Sequence, residues 1–229
     1  MMRSFLFVFI VAAYTSPVTA QAPAGLSLEM RAIETEQAAI AIGKGQAVEA
    51  IKLTEPVIAA FESEHPASDK MVFCTEGPVQ TLLLLSRAIA AKKDGITVDG
   101  TWCSALFIKG FALIDVNRAN DALPFLQKAS EMAPLNAHYM NEYAEWYKSN
   151  RRWQESYDIF AKAREVVHYM PKDEQNEMEA RSLRGMGFAM IELGKLDEAE
   201  KLFTQSLKLL PKHAGALSEL QYIADQRRK

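Results

Sequence analysis

The sequence predicts an all-α fold: a solenoid of stacked antiparallel helix pairs closed by a C-terminal capping helix. Three observations carry this expectation. Small residues recur at Gly110, Ala144 and Gly187, each on an amphipathic stretch. Each is followed at constant spacing by further small and aromatic residues, and a step of 34 relates the first two copies. Turn or helix-stop residues, such as Gly194 and Pro211, punctuate the pattern. Two helices can nest at the usual 8–10 Å only where the facing side chains are small.

Taken in order, residues 1–20 form a separate unit. Arg3 precedes the apolar run 5–14, and Val18-Thr19-Ala20 reads as a small-residue cleavage site before Gln21. That is the pattern of a secretory signal peptide, too short for a membrane span. No later stretch approaches eighteen consecutive apolar residues, so no span is expected in the mature chain. The absence of Asn-x-Ser/Thr fits a bacterial periplasm. Residues 21–26 read as a flexible leader.

Residues 27–101 are expected to be an irregular, repeat-like helical region. Ser27 can cap a first helix whose apolar stripe would be Met30, Ile33, Ile40 and Ala41. After Gly43-Lys44-Gly45 a second helix carries Ala47, Val48, Ile51, Ile58 and Phe61, with Pro56 expected to kink or restart it. A third helix is expected over 79–93. Leu82 to Leu85 make its apolar surface run almost all the way round, which points to a helix sandwiched between neighbours. Residues 96–100 read as a linker lying extended across the surface.

Residues 102–211 hold the three regular units, at about 103–136, 137–170 and 180–213. Gly110 stands with Leu106, Ala122, Leu126, Ala129 and Pro134; Ala144 with Ser156, Phe160 and Ala163; Gly187 with Ala199, Phe203 and Pro211. The third unit begins 43 residues after the second, and the extra residues near 169–178 should lengthen its first helix by two turns. Residues 212–229 then place Ala214, Leu217, Leu220, Ile223 and Ala224 on one stripe, as expected for a cap with a wet outer face.

This spacing resembles the tetratricopeptide repeat, whose unit is 34 residues. The resemblance implies a right-handed superhelix whose first helices line a concave face that binds protein or peptide segments. Ligands of the family usually touch the second, fifth, ninth and twelfth positions of those helices. Those positions hold Ser104, Phe107, Phe111 and Ile114 in the first unit, and His138, Asn141, Glu145 and Lys148 in the second. In the third they hold Arg181, Arg184, Phe188 and Ile191. Arg181 and Arg184, three apart, could together hold a carboxylate. The family's C-terminal-carboxylate clamp, with Lys and Asn at the fifth and ninth positions, is absent from all three units.

The remaining chemistry is sparse. With 26 basic and 29 acidic residues interspersed, there is no nucleic-acid footprint. Glu62/His65 and Glu165/His168 have helical i, i+3 spacing but too few partners for a metal site. No phosphate loop, HExxH or GxSxG motif occurs, and no cofactor is expected. Cys74 and Cys103 leave two readings open. Export would allow a disulfide, and the linker 94–101 is long enough to run back and bring the two cysteines together. A helix running straight from one cysteine towards the other's helix would instead hold them roughly 20 Å apart, as buried thiols.

The expected function is therefore an exported, periplasmic, non-catalytic interaction module for a protein or peptide. Two rivals are a small-ligand protein or enzyme, with its site where the N-terminal helices meet the groove, and a homo-oligomeric scaffold associating through residues 82–85.

Overall fold

The computed structural model describes residues 25–228. The segment read as a signal peptide, residues 1–20, and all but the end of the 21–26 leader lie outside the described residues.

Four helix pairs make up most of the molecule: α1 (Leu28–Gly43) with α2 (Ala47–Glu64), α4 (Thr101–Asp115) with α5 (Ala119–Met132), α6 (Ala137–Ser149) with α7 (Trp153–Val166), and α8 (Lys172–Glu192) with α9 (Leu196–Leu209). A last helix, α10 (Ala214–Gln226), covers the end of the stack. One local device makes all four hairpins. A residue with positive φ ends each first helix: Gly45 (70°), Asn117 (60°), Arg151 (57°) and Gly194 (75°). The next residue's N–H then donates to the carbonyl five residues back, as in Gln46 to Ala41 (2.8 Å), Arg118 to Leu113 (2.8 Å), Arg152 to Tyr147 (3.0 Å) and Lys195 to Met190 (2.8 Å). This is the left-handed C-cap that satisfies the orphan carbonyls of a helix end. The first pair shares it, so α1–α2 is a hairpin of the same kind as the others.

Between the first and second pairs the helical pattern is interrupted by a strand–helix–strand unit: β1 (Met71–Thr75), α3 (Pro78–Ala90) and β2 (Gly95–Asp99). The strands pair in parallel, Met71 against Gly95 through Thr75 against Asp99. Parallel strands need a crossover, which α3 supplies. Gly95 lies beneath that helix, where a Cβ would sit 2.7 Å from that of Ala88. The stretch expected as a surface linker is therefore a paired strand.

This unit also settles the cysteines. Cys74 and Cys103 form a disulfide, with Cα atoms 6.2 Å apart. The roughly 20 Å expected for a straight helix does not apply. Strand β2 returns the chain along the length of α3 and delivers it beside β1, Cys74 opposite Val98, just before α4 begins. The bond staples β1 to the first turn of α4, and the two-buried-thiols reading falls.

The small residues do the work expected of them. Leu126 packs where a Gly110 side chain would be, 2.8 Å from its built Cβ, and the Phe203 ring does the same at Gly187 (2.8 Å). Ala144 is fully buried. Gly185 is tighter still, lying against the buried Phe160 ring.

Two helices differ from expectation. The buried side of α1 is Arg31, Thr35, Ala38 and Ala41, leaving Met30, Ile33 and Ile40 exposed. Arg31 is admitted because its charge is fully engaged: Nε donates to the Leu26 carbonyl (2.7 Å), both Nη groups donate to the Glu64 carboxylate, and the guanidinium lies 4.5 Å over the Phe61 ring. Helix α3 is not sandwiched. Leu84 and Ala88 face the sheet, while Val79, Leu82 and Ile89 are each about three-quarters exposed, at 76%, 74% and 76%. Helix α2 continues unbroken through Pro56.

Candidate functional site

The first helices of successive pairs carry every residue expected in the groove, and those towards its C-terminal half line an open cleft. In α4, Ser104 Oγ is bonded to Tyr139 Oη (2.9 Å). Phe107 is half-buried, with its ring 4.8 Å from both His138 and Tyr139. It also packs on the cluster that Ala38, Ala41, Ala47 and Ala50 form with Ile108 and Ala112. Phe111 leans on Phe107 at 6.3 Å, and Ile114 packs beside Leu113, Leu126 and Trp146. The aromatic end of the expected groove is thus largely internal packing.

In α6, Asn141 has no exposed surface. Its Oδ1 accepts from Ser182 Oγ (2.8 Å) and its Nδ2 donates to the Met178 carbonyl (3.3 Å), locking α6 to α8. It is a structural bolt rather than a groove contact. Burial holds the His138 imidazole below its ordinary range, the Glu142 carboxylate offsetting part of that. Glu145 and Lys148 form an ion pair one turn apart.

Arg181 and Arg184 do not share a carboxylate. Arg181 donates to Glu142 across the α6–α8 contact (2.6 Å), while Arg184 donates to Glu177 of its own helix (3.1 Å). The Nη1 of Arg184 is buried with no hydrogen-bond partner among the described residues. Its side chain stays mostly sheltered, 16% exposed, at the wall of a cleft of about 250 Å³. Lys148, Arg181, Phe188 and Glu145 line the same cleft, and α10 closes it with His213 and Glu219. Lys148 Nζ sits 5.3 Å from the centre of the Phe188 ring, and Trp153 backs that ring at 6.0 Å. Burial, reinforced by Glu192, raises the Glu219 carboxyl above its usual value. His213 and Glu219 were missed in the sequence. They lie on the predicted cap, and nothing in a cap's apolar stripe says that its polar edge overhangs the groove.

A second cleft, of about 460 Å³, lies between the end of α2, strand β1 and α5. Its wall includes Trp102, stacked on Phe61 (5.3 Å) and His65 (5.7 Å), with Lys128 Nζ 4.7 Å over the indole and bonded to Glu62 (2.8 Å). Glu62 and His65 are thus occupied by Lys128 and Trp102 respectively. Among the described residues there is no group of three or more metal-ligating side chains, and no helix long and apolar enough to cross a membrane.

Residues 134–212 match the tetratricopeptide repeat family model. No curated protein matches the chain. Among solved structures, Pseudomonas aeruginosa pilF aligns with a TM-score of 0.62 at 15% identity, over 87% of this chain and 70% of that one. YrrB, a TPR protein with an unusual peptide-binding site, aligns at 0.54 and 14% identity, over 83% and 74%. The first TPR of Spaghetti (RPAP3), bound to the HSP90 peptide SRMEEVD, aligns at 0.50 and 21% identity, over 58% and 98%. At such identities the likeness is one of fold. Repeat spacing, hairpin geometry and the matched segment agree: residues 134–212 carry the tetratricopeptide repeat, and the described residues as a whole share the fold of stacked helix pairs.

Proposed function

We propose that this protein is an exported, non-catalytic interaction module that holds an extended peptide segment of a partner protein against its first helices. The peptide seats in the cleft between α6, α8 and α10. One observation carries this: a sheltered guanidinium with one buried, unused donor, Arg184 Nη1, lies beside an aromatic wall, Phe188, in an open cleft. A carboxylate with an apolar neighbour complements that pair, since charge-assisted bonds to Arg are strong and aromatic walls supply area. Support comes also from YrrB and the Spaghetti domain, same-fold proteins that bind peptides.

Export rests on the character of residues 1–20, and a disulfide is at home in an oxidising compartment. The periplasm is the compartment proposed. Mass spectrometry of the protein recovered from a Gram-negative host tests this. A chain beginning at Gln21 in the periplasmic extract is expected, and an uncut cytoplasmic chain would overturn it.

The peptide site is tested by selecting a displayed library of extended peptides on the wild type, Arg184→Ala and Phe188→Ala. The wild type should enrich sequences pairing an acidic with an apolar residue, and both variants should lose that enrichment. Identical enrichment on all three would remove the cleft as the site.

A further inference from the structure

The outer surface of α3 is the least satisfied apolar surface among the described residues. Val79, Leu82, Ser86 and Ile89 fall at i, i+3, i+7 and i+10 along it, the heptad seam of a helix that packs on another helix. The three aliphatic members are each about three-quarters exposed, and Ser86 is exposed between them. The opposite side of α3 already rests on the sheet through Leu84 and Ala88, so the seam is not a misplaced core. Contiguous exposed apolar surface of this kind marks an interaction site.

We propose that this seam pairs with α3 of a second copy of the chain, antiparallel across a two-fold axis. In an antiparallel heptad seam, a positions of one helix meet d positions of the other. Val79 then lies against Ile89 of the other copy and Leu82 against its Ser86, and the same rule holds with the copies exchanged. One register satisfies all four positions at once, as a closed two-fold contact requires. Ser86 gives Leu82 room at the centre of the crossing.

Charge supports the same register. Glu76 lies just before the N-terminus of α3, and Arg87, Lys92 and Lys93 lie around its C-terminus, all exposed. Asp94 is also there, leaving that end basic on balance. Antiparallel packing sets the acidic end of each helix beside the basic end of the other. A parallel pair would place like ends together.

The test is the mass of the mature protein against concentration, by light scattering and sedimentation equilibrium. A concentration-dependent dimer is expected. Leu82→Glu should raise its dissociation constant by at least about tenfold, with the circular dichroism spectrum unchanged and the melting temperature equal to wild type at concentrations where both are monomeric. Glu76→Lys alone should weaken the dimer, and adding Lys92→Glu should restore it. A monomer at every accessible concentration overturns the proposal, as does a dimer indifferent to Leu82→Glu. A dimer that Leu82→Glu abolishes but that ignores both charge variants overturns the antiparallel register. Co-sedimentation of a monomeric wild type with anionic phospholipid vesicles, lost in Leu82→Glu, would assign the seam to a membrane surface and overturn pairing.

Discussion

Replacing both cysteines by alanine removes the staple between β1 and α4, and the loss can be worked from the loop it closes. With 29 residues separating Cys74 from Cys103, the chain-entropy relation gives about 3.6 kcal/mol at 25 °C. For a domain of this size each kcal/mol moves the melting temperature by about 2–4 °C, so a fall of about 7–14 °C is expected. The effect should be uneven. A two-stranded sheet is marginal alone, and the strand–helix–strand unit otherwise rests on the small cluster of Phe73, Leu84, Ala88 and Leu135 and on Val72 and Val98 packed against the Trp102 core. Once the bond is gone, amides in residues 71–99 should exchange hydrogen well before those in 134–212. Calorimetry of Cys74→Ala/Cys103→Ala, and of reduced wild type, reads the first quantity; peptide-resolved hydrogen exchange reads the second. A double variant melting within about 2 °C of wild type, or one whose 71–99 amides stay protected while the repeats loosen, would refute the reasoning.

Two further substitutions probe the packing. Gly185→Ala drives a methyl into the buried Phe160 ring, costing about 1–3 kcal/mol against a helix gain of at most about 1 kcal/mol. At Gly187 the approach to Phe203 is looser, at 2.8 Å, so Gly187→Ala should melt closer to wild type; the reverse order would sink the packing account. Arg31→Met keeps the stem over Phe61 but strips the charged hydrogen bonds to Glu64 and the bond to the Leu26 carbonyl, costing about 1–3 kcal/mol at pH 7. Arg31 holds the Glu64 carboxyl below its usual value of 4.5, so its contribution is present above that pH and fades as pH falls through the lowered folded value. The stability gap between wild type and Arg31→Met, measured in urea, should shrink on acidification, and a gap constant from pH 7 to 3 would count against the ion pair.

The repeats were legible because nesting constrains single positions. Gly110, Ala144 and Gly187 each face a neighbour that leaves no room, and three such constraints at related spacings are visible in one sequence. What was not legible has specific causes. Met71–Thr75 and Gly95–Asp99 are five residues each, and either is meaningful only once paired with the other. The disulfide followed from that pairing, so a helical route between the cysteines gave the wrong distance. Gly185 went unmarked because it lies off the repeat spacing, although it meets Phe160 more closely than Gly187 meets Phe203. On α1, choosing the apolar stripe as the inner face failed because Arg31, fully neutralised, takes the inside position. Asn141 failed in the opposite direction: its place in the repeat points to ligands, but the lengthened α8 supplies Met178 and Ser182 to occupy it.

That last substitution bears on how the cleft can select a partner. Its cations are already answered from within: Lys148 by Glu145, Arg181 by Glu142, Arg184 by Glu177. An incoming carboxylate that merely displaced one of these would exchange one ion pair for another and gain little. At Arg184 a sheltered donor remains unused, so an acceptor that reaches it adds a bond without breaking one. Glu177 is half exposed at 52% and can turn to solvent cheaply, whereas Glu142, at 11%, cannot. Discrimination should therefore concentrate on one carboxylate set next to the Phe188 wall, with the other charges serving to reject misplaced cations and anions alike. An array whose aromatic end is spent on internal packing thus keeps a polarised pocket at the far end, beneath the overhang of α10.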